Sequence, residues 1–235
     1  MSSTLKFFKD ASSHDCSYLP NEQSQNIYPD PKQTMSNTLY SQLIQSGFRR
    51  SGNQAYRPHC PNCQACVPVR INLHEFTPSR SQRRCLQRNQ HLKISFHPAE
   101  FNPEHYQLYQ HYLSSRHHDG GMANPTEESY VNFLTSYWSD TQFIEFRDQS
   151  QLIAVAVTDF VHQGLSAFYT FFEPELTTQS LGTYAILHQI ALAKQQELSW
   201  LYLGYWIENC QKMSYKQSFS GLEAYRDQQW QILKT

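Results

Sequence analysis

Two sets of side chains in this 235-residue chain have the type and spacing to do chemistry. The first is thiol. Cys60, Cys63 and Cys66 repeat as C-x2-C-x2-C inside RPHCPNCQACVP, and Cys16 stands upstream as a fourth. Four thiolates suit tetrahedral zinc, and an iron–sulfur cluster is chemically open to the same set. His14 and His59 are further donors. The competing reading is of small buried thiols packed around a Pro-rich turn. Cys85 and Cys210 stand apart and read as isolated residues. The second set is cationic. Between Gly47 and Lys93, Arg49, Arg50, Arg57, Arg70, Arg80, Arg83, Arg84, Arg88 and Lys93 are opposed only by Glu75. That stretch is +8 in a chain whose total is −1, so the remainder carries −9. Clustered cations favour a polyanion through counterion release, and the guanidinium fork suits phosphate. The competing reading is a solvated face with scattered ion pairs.

Composition narrows the class. Apolar residues make up 39% and aromatics 14%, too many for a disordered chain. The longest purely apolar run, Leu152 to Val157, is six residues. A bilayer-crossing helix needs about 20. The opening MSSTLKFFKDASS has no apolar run of the kind a signal peptide carries. A cytosolic protein is expected, with its cysteines reduced or metal-bound.

The elements that must position these residues follow from periodicity. Residues 14–37 are rich in Pro, Asn and Ser and read as extended loop. Ser36 or Asn37 caps a short helix that Gly47 ends. Val67 to Leu73 is strand-like, Ser79 to His91 is a helix or a binding loop, and Leu92 to Phe96 alternates like a strand. Pro103 starts one helix. Asn124 caps another, with Pro125 at its first position. Phe143 to Phe146, Leu152 to Phe160 and Leu165 to Phe172 form an antiparallel meander. Ser180 to Glu197 is a helix, Trp200 to Ile207 a buried strand, Cys210 to Phe219 a short helix and Ala224 to Ile232 a last strand. The order is α+β.

That order resembles the GCN5-related N-acetyltransferase fold, and longer blocks give a closer likeness. CSYLP (from Cys16), GFRRSGNQAYRPHCPNCQACVPVRI (from Gly47) and FTPSRSQRR (from Phe76) are similar to the N-terminal signature of the aminoacyl-tRNA–protein transferase (R-transferase) family. RHHDGGM (from Arg116), SLGTYAIL (from Ser180) and LGYWIENCQKMSYKQSF (from Leu203) extend the likeness over nearly the whole chain. Length and motifs look like the bacterial aspartate/glutamate leucyltransferase branch.

The resemblance implies a GCN5-related N-acetyltransferase-like catalytic domain over 96–235 behind an N-terminal Cys/Arg-rich subdomain over 1–95. It implies transfer of leucine from leucyl-tRNA to proteins with N-terminal Asp or Glu, marking them for N-end-rule degradation. No cofactor is required, because the donor ester is already activated. A structural zinc or iron–sulfur cluster at Cys16, Cys60, Cys63 and Cys66 is the optional group, although eukaryotic relatives have a cysteine pair where this chain has Cys16-Ser17. Arg49, Arg50, Arg80, Arg83, Arg84 and Arg88 are the tRNA-binding candidates. Arg116, His117, Lys212 and Lys216 are the acceptor-binding candidates. Asp119, Tyr169 and Tyr205 are the catalytic candidates, with Glu208 a second base, and Phe168 and Trp206 line the acyl pocket. For each aromatic, core packing is the competing role. Two rival functions remain. One is an acetyl-CoA-dependent acetyltransferase, whose pyrophosphate loop would be Gln179 to Tyr184 with Tyr184 obstructing it. The other is a non-catalytic, zinc-ribbon-like RNA-binding protein.

Overall fold

The computed structural model describes residues 5–116, 124–208 and 210–233. Its N-terminal region is more ordered than an extended loop. It holds strands β1 (Phe7–Lys9), β2 (His14–Asp15), β3 (Gln23–Ser24) and β4 (Asn26–Pro29). Helix α1 (Asn37–Gln45) starts at Ser36, whose hydroxyl accepts from the Leu39 amide at 3.2 Å. Gly47, at φ +81, turns the chain out of α1 into β5 (Arg49–Ser51) and β6 (Gln54–Pro58). These strands make a small sheet in the order β1-β4-β6-β5, while β2 and β3 pair separately.

The large sheet takes eight strands. The chain runs β7 (Val67–Asn72), α2 (Arg80–Asn89), β8 (Lys93–Pro98), α3 (Pro103–Arg116), α4 (Glu127–Leu134), β9 (Thr141–Asp148), β10 (Gln151–Val161) and β11 (Gly164–Phe172). It continues through α5 (Leu181–Gln195), β12 (Trp200–Trp206), a 3-10 segment (Gln211–Ser218), β13 (Leu222–Arg226) and β14 (Gln229–Ile232). The spatial order is β14-β13-β7-β12-β11-β10-β9-β8. Neighbours are antiparallel except β11 and β12, which are parallel. The meander expected over 143–172 is there. A division at residue 95 does not separate one core from another: β7 lies between β13 and β12 in the middle of the large sheet, and β8 runs across 95.

Two boundaries differ from the sequence reading. Asn124 is not the cap of α4, since it sits at φ +58. Thr126 is extended and its side chain accepts from Ser129 N, whose own side chain answers in a capping box. The last strand is a hairpin, because Asp227 and Gln228 both take positive φ (51 and 61). That pair of angles suits a two-residue turn between twisted strands.

Side-chain alternation splits the core between the two faces of the sheet. Ile144, Ala154, Leu165, Leu201 and Leu203 pack with Leu187 and Ile190 of α5 on one face. Phe143, Val155, Val157 and Phe171 pack with Leu108, Tyr109 and Leu113 of α3 and Tyr130 and Leu134 of α4 on the other. β10 is apolar on both sides, so it reads as an almost unbroken run, LIAVAV.

One polar interaction crosses this packing. Arg50, 1% exposed, donates from Nε to both Asp159 oxygens at 3.0 Å and from Nη2 to Oδ1 at 2.7 Å. Its Nη2 also reaches the Leu134 carbonyl at 3.0 Å. Thr141 and Tyr40 donate to the same carboxylate at 2.8 and 3.3 Å. The pair joins the small sheet, β10 and the end of α4. Removing one partner leaves the other charge buried without a counter-ion. Asp159→Asn should therefore destabilise the protein by about 3–5 kcal/mol, read as a lowered denaturant midpoint.

Candidate active site

The site forms where the one parallel pair comes apart. β11 and β12 are in register only from Gly164 and Trp200 to Ser166 and Tyr202. Beyond that point the strands diverge. β11 bulges there: Val157 faces Tyr169 and Thr158 faces Ala167, which leaves Phe168 as the extra residue. The bulge places Phe168 and Tyr169, neighbours in sequence, on the same α3/α4 face. β12 slips in the same way against β7 at Leu203.

Arg49 enters this gap from β5. Its Nη2 donates to the carbonyls of Phe168 at 3.0 Å and Ala167 at 3.4 Å, while Nη1 has no partner. The guanidinium lies against Gly204, where a Cβ would stand 2.2 Å from Nη1 on a backbone already at φ +80. Glycine at 204 is what lets Arg49 in. Lys216, from the 3-10 segment after β12, is also buried and donates from Nζ to the Tyr205 carbonyl. Burial first, then the Arg49 charge, push its pKa down to about 7.

Tyrosines surround the two cations. The Tyr205 hydroxyl is shared between the carbonyls of Gly47 at 3.0 Å and Tyr56 at 3.2 Å. Burial holds it well above the ordinary tyrosine range. Through these two carbonyls it anchors β12 to the small sheet. Tyr169 packs edge-on to Tyr109, Tyr112 and Phe133, and Tyr18 lies close enough to raise its pKa together with burial. Burial thus keeps the Tyr169 hydroxyl in its neutral, proton-bearing form.

The remaining candidates divide by burial. Arg50 is committed to Asp159 and cannot meet a phosphate, and Arg49 faces the gap instead of solvent. Arg80, Arg83, Arg84 and Arg88 are exposed along α2. Of these, Arg83 caps the Pro78 carbonyl at 2.5 Å and Arg88 reaches the Thr178 carbonyl. Arg80, Arg84 and Arg88 share one helical face at i, i+4 spacing. Arg116 is exposed at the end of α3, with its guanidinium 5.6 Å from the Phe172 ring. Lys212 is exposed. His117 and Asp119 lie outside the described residues.

Phe168 and Trp206 do not line one pocket. Phe168 belongs to the α3/α4 face, under the Arg50 guanidinium at 3.9 Å, and Trp206 to the α2/α5 face. Two bulges shift the alternation that would put them together. Tyr184 does not obstruct the start of α5; its ring is buried 5.5 Å from that of Phe146. The carbonyls of residues 178–180 at that helix start are taken instead by Cys85, Arg88 and Asn89 of α2.

Cys16, Cys60, Cys63 and Cys66 line one cavity of about 330 Å³ together with Tyr18, Tyr56 and Tyr205. Burial and the neighbouring sulfurs push Cys66 up to about 12, and Cys210 is one of those neighbours instead of an isolated residue. Among the described residues, the donor atoms that converge within 4.8 Å belong to His111, Glu173 and Glu175, not to the cysteines. Zinc bound through sulfur at about 2.3 Å would hold its thiolates about 3.8 Å apart, so the four thiols share a cavity without standing at coordination spacing. Glu208 is exposed on a second cavity of about 460 Å³, lined also by Leu19, Cys66, Trp206 and Asp227.

Comparison with known proteins decides the family. The pattern for the arginine-tRNA-protein transferase N terminus matches residues 14–84, and that for its C terminus matches residues 104–226. The chain belongs to the arginine-tRNA-protein transferase family. An aspartate/glutamate leucyltransferase of Nitrosococcus oceani is 50% identical over 220 residues, covering 93% of this chain and 92% of the relative. Those of Alcanivorax borkumensis and Marinobacter nauticus are 48% identical over 228 residues and 47% over 232. They cover 97% and 99% of this chain and 94% and 98% of their own lengths. Among the described residues no helix of this transferase is long and apolar enough to cross a membrane.

The transferase's buried lysine carries a pH signature. Unfolded Lys216 would titrate near 10.4. Between that value and about 7 the unfolded state binds the extra proton, so stability rises with pH across that window. Below about 7 both states are protonated and the penalty is fully present. Lys216→Met should flatten the rise in denaturant midpoint between pH 7 and pH 10 relative to the unaltered protein.

Proposed function

We propose that this chain transfers leucine from leucyl-tRNA to the α-amine of proteins that begin with Asp or Glu. The observation that carries the proposal is identity of about half over nearly the full length to relatives named for that activity. The geometry supports it. Four antiparallel strands, β8 to β11, lead into one parallel pair that diverges, with α5 as the crossover between its two strands. That arrangement resembles the GCN5-related N-acetyltransferases, in which the acyl group sits between the splayed strands. Just past the β11 bulge, Tyr169 packs against Tyr112 and lies near Tyr18, rings that suit an apolar leucyl side chain.

The chemistry asks little of the protein. The donor is an activated ester and the acceptor an amine. A free α-amine has a pKa of about 7.7–8.0, so a useful minority is neutral at pH 7. The nitrogen forms a bond to the leucyl carbonyl carbon, the ester C–O bond breaks, and the proton lost by nitrogen ends on the ribose oxygen. Positioning the two substrates supplies much of the acceleration. No cofactor enters the step. A charged tRNA and a protein N-terminus place the reaction in the cytoplasm, and the product is marked for N-end-rule degradation.

The tRNA is held by α2. Its exposed arginines form a basic stripe, and the helix packs against the turn that leads into α5. Arg80→Ala combined with Arg84→Ala should weaken leucyl-tRNA binding uniformly. It should also reduce the slope of log affinity against log salt by about 2, with the fold intact by circular dichroism. The transfer itself is tested with radiolabelled leucine. Label should pass from leucyl-tRNA to peptides beginning with Asp or Glu, and not to otherwise identical peptides beginning with Lys or Ala. Label from arginyl-tRNA alone would keep the family and refute the leucyl assignment.

A further inference from the structure

Among the described residues, buried charges have counter-charges, with two exceptions. Arg50 has Asp159, Arg70 has Glu223 at 2.7 Å, and His105 has Glu145 at 2.6 Å. Arg49 is 9% exposed and Lys216 6%, yet among the described residues neither meets a carboxylate. Each holds only backbone carbonyls: those of Ala167 and Phe168 for Arg49, that of Tyr205 for Lys216. One guanidinium nitrogen of Arg49 has no partner at all. The two side chains are near enough for the Arg49 charge to depress the protonation of Lys216. Two repelling cations shut away from water are costly, and an anion placed between them relieves both the desolvation and the repulsion.

We infer that Arg49 and Lys216 form the subsite for the side-chain carboxylate of the acceptor's first residue. The inference rests on the leucyl-transfer reading above and adds to it the residues that choose the acceptor. Both cations stand where β11 and β12 diverge, the place that reading assigns to the acyl group. An N-terminal Asp or Glu carries its carboxylate one short side chain away from the attacking amine, so a cation pair beside the acyl carbon engages it as the amine arrives. A guanidinium offers the planar fork that a carboxylate matches, and Lys216 adds a point charge from the 3-10 segment that follows β12. Neutral Asn or Gln, of the same shape, leaves the cations unmatched. A site built for a charged group rejects its neutral isostere strongly. The exposed cations Arg116 and Lys212 are hydrated and give a weaker distinction.

The test compares peptides that begin with Asp or Asn and are otherwise identical. Transfer from leucyl-tRNA is measured for the unaltered protein, Lys216→Met and Arg49→Gln, each checked for folding by circular dichroism. In Lys216→Met, the Asp-over-Asn ratio of kcat/KM should fall about 10- to 100-fold, mainly through KM for the Asp peptide. Leucyl-tRNA affinity should be unchanged. Arg49→Gln should do the same where it folds, and Lys216→Met decides alone where it does not. An Asp-over-Asn preference that survives in the folded variant overturns the subsite and leaves the transfer reading standing. So does a loss of tRNA affinity with the preference intact, which would make the pair a phosphate contact. Calorimetric titration with the dipeptides Asp-Ala and Asn-Ala gives a readout that needs no transfer. Binding of Asp-Ala that weakens about 10-fold or more in Lys216→Met supports the subsite even if no label moves, whereas equal binding of both dipeptides overturns it.

Discussion

The buried pair of Arg50 and Asp159 sets the position of everything that matters at the cleft. β5 is three residues long, and its first two are arginines whose side chains leave in opposite directions. Once Arg50 is locked to Asp159 on β10, Arg49 can go only the other way, into the gap between β11 and β12. A shift of one residue in β5 would exchange the two, turning Arg49 toward the core and Arg50 toward the cleft. The ion pair is a register pin between two sheets more than a store of stability, the role for which buried charge is best attested.

The same logic explains why the Cys- and Arg-rich N-terminal half is not a module attached to a catalytic half. β7 from that half supplies a central strand of the large sheet, bonded to β12 on one side and β13 on the other. The Tyr205 hydroxyl ties β12 back to Gly47 and Tyr56. The strand that forms one wall of the cleft is thus held along one edge by β7 and through Tyr205 by residues that precede it by more than a hundred positions. Cleft geometry and N-terminal folding are one problem, and the cysteine cavity beside Tyr205 belongs to that joint.

Local patterns are legible in the sequence; long-range pairings are not. The meander, α5 and the Ser36 cap follow from periodicity and capping chemistry, which act over a few residues. The eight arginines of the basic stretch look alike because nothing local separates them. Asp159, which takes Arg50 out of solvent, lies 109 positions away, and the carbonyls that take Arg49 lie 118 and 119 away. Phe168 and Trp206 are paired only by the family likeness, and the bulges in β11 and β12 leave them on opposite faces of the sheet. The turn at Asp227-Gln228 escapes a sequence reading because it uses none of the glycine that usually marks paired positive φ angles. Gly204 does carry a signal. A glycine inside an otherwise apolar strand points to a close approach, and here the approaching group is the Arg49 guanidinium.

A cleft that holds two cations without an anion is less stable than one in which either were apolar. Folding tolerates the arrangement because the surroundings are over-determined: Arg50, Tyr205 and the β11 bulge fix the walls whether or not the gap is filled. A preformed, desolvated positive site need not reorganise when a carboxylate arrives, and in low dielectric each contact there is stronger than on the surface. The lowered protonation of Lys216 is the mark of that stored cost. An entering carboxylate would offset it, favouring the protonated amine and making it half of an ion pair. Selectivity for an acidic residue would then draw on strain already present in the free protein, and a neutral side chain, which relieves none of it, would be refused without any added steric barrier.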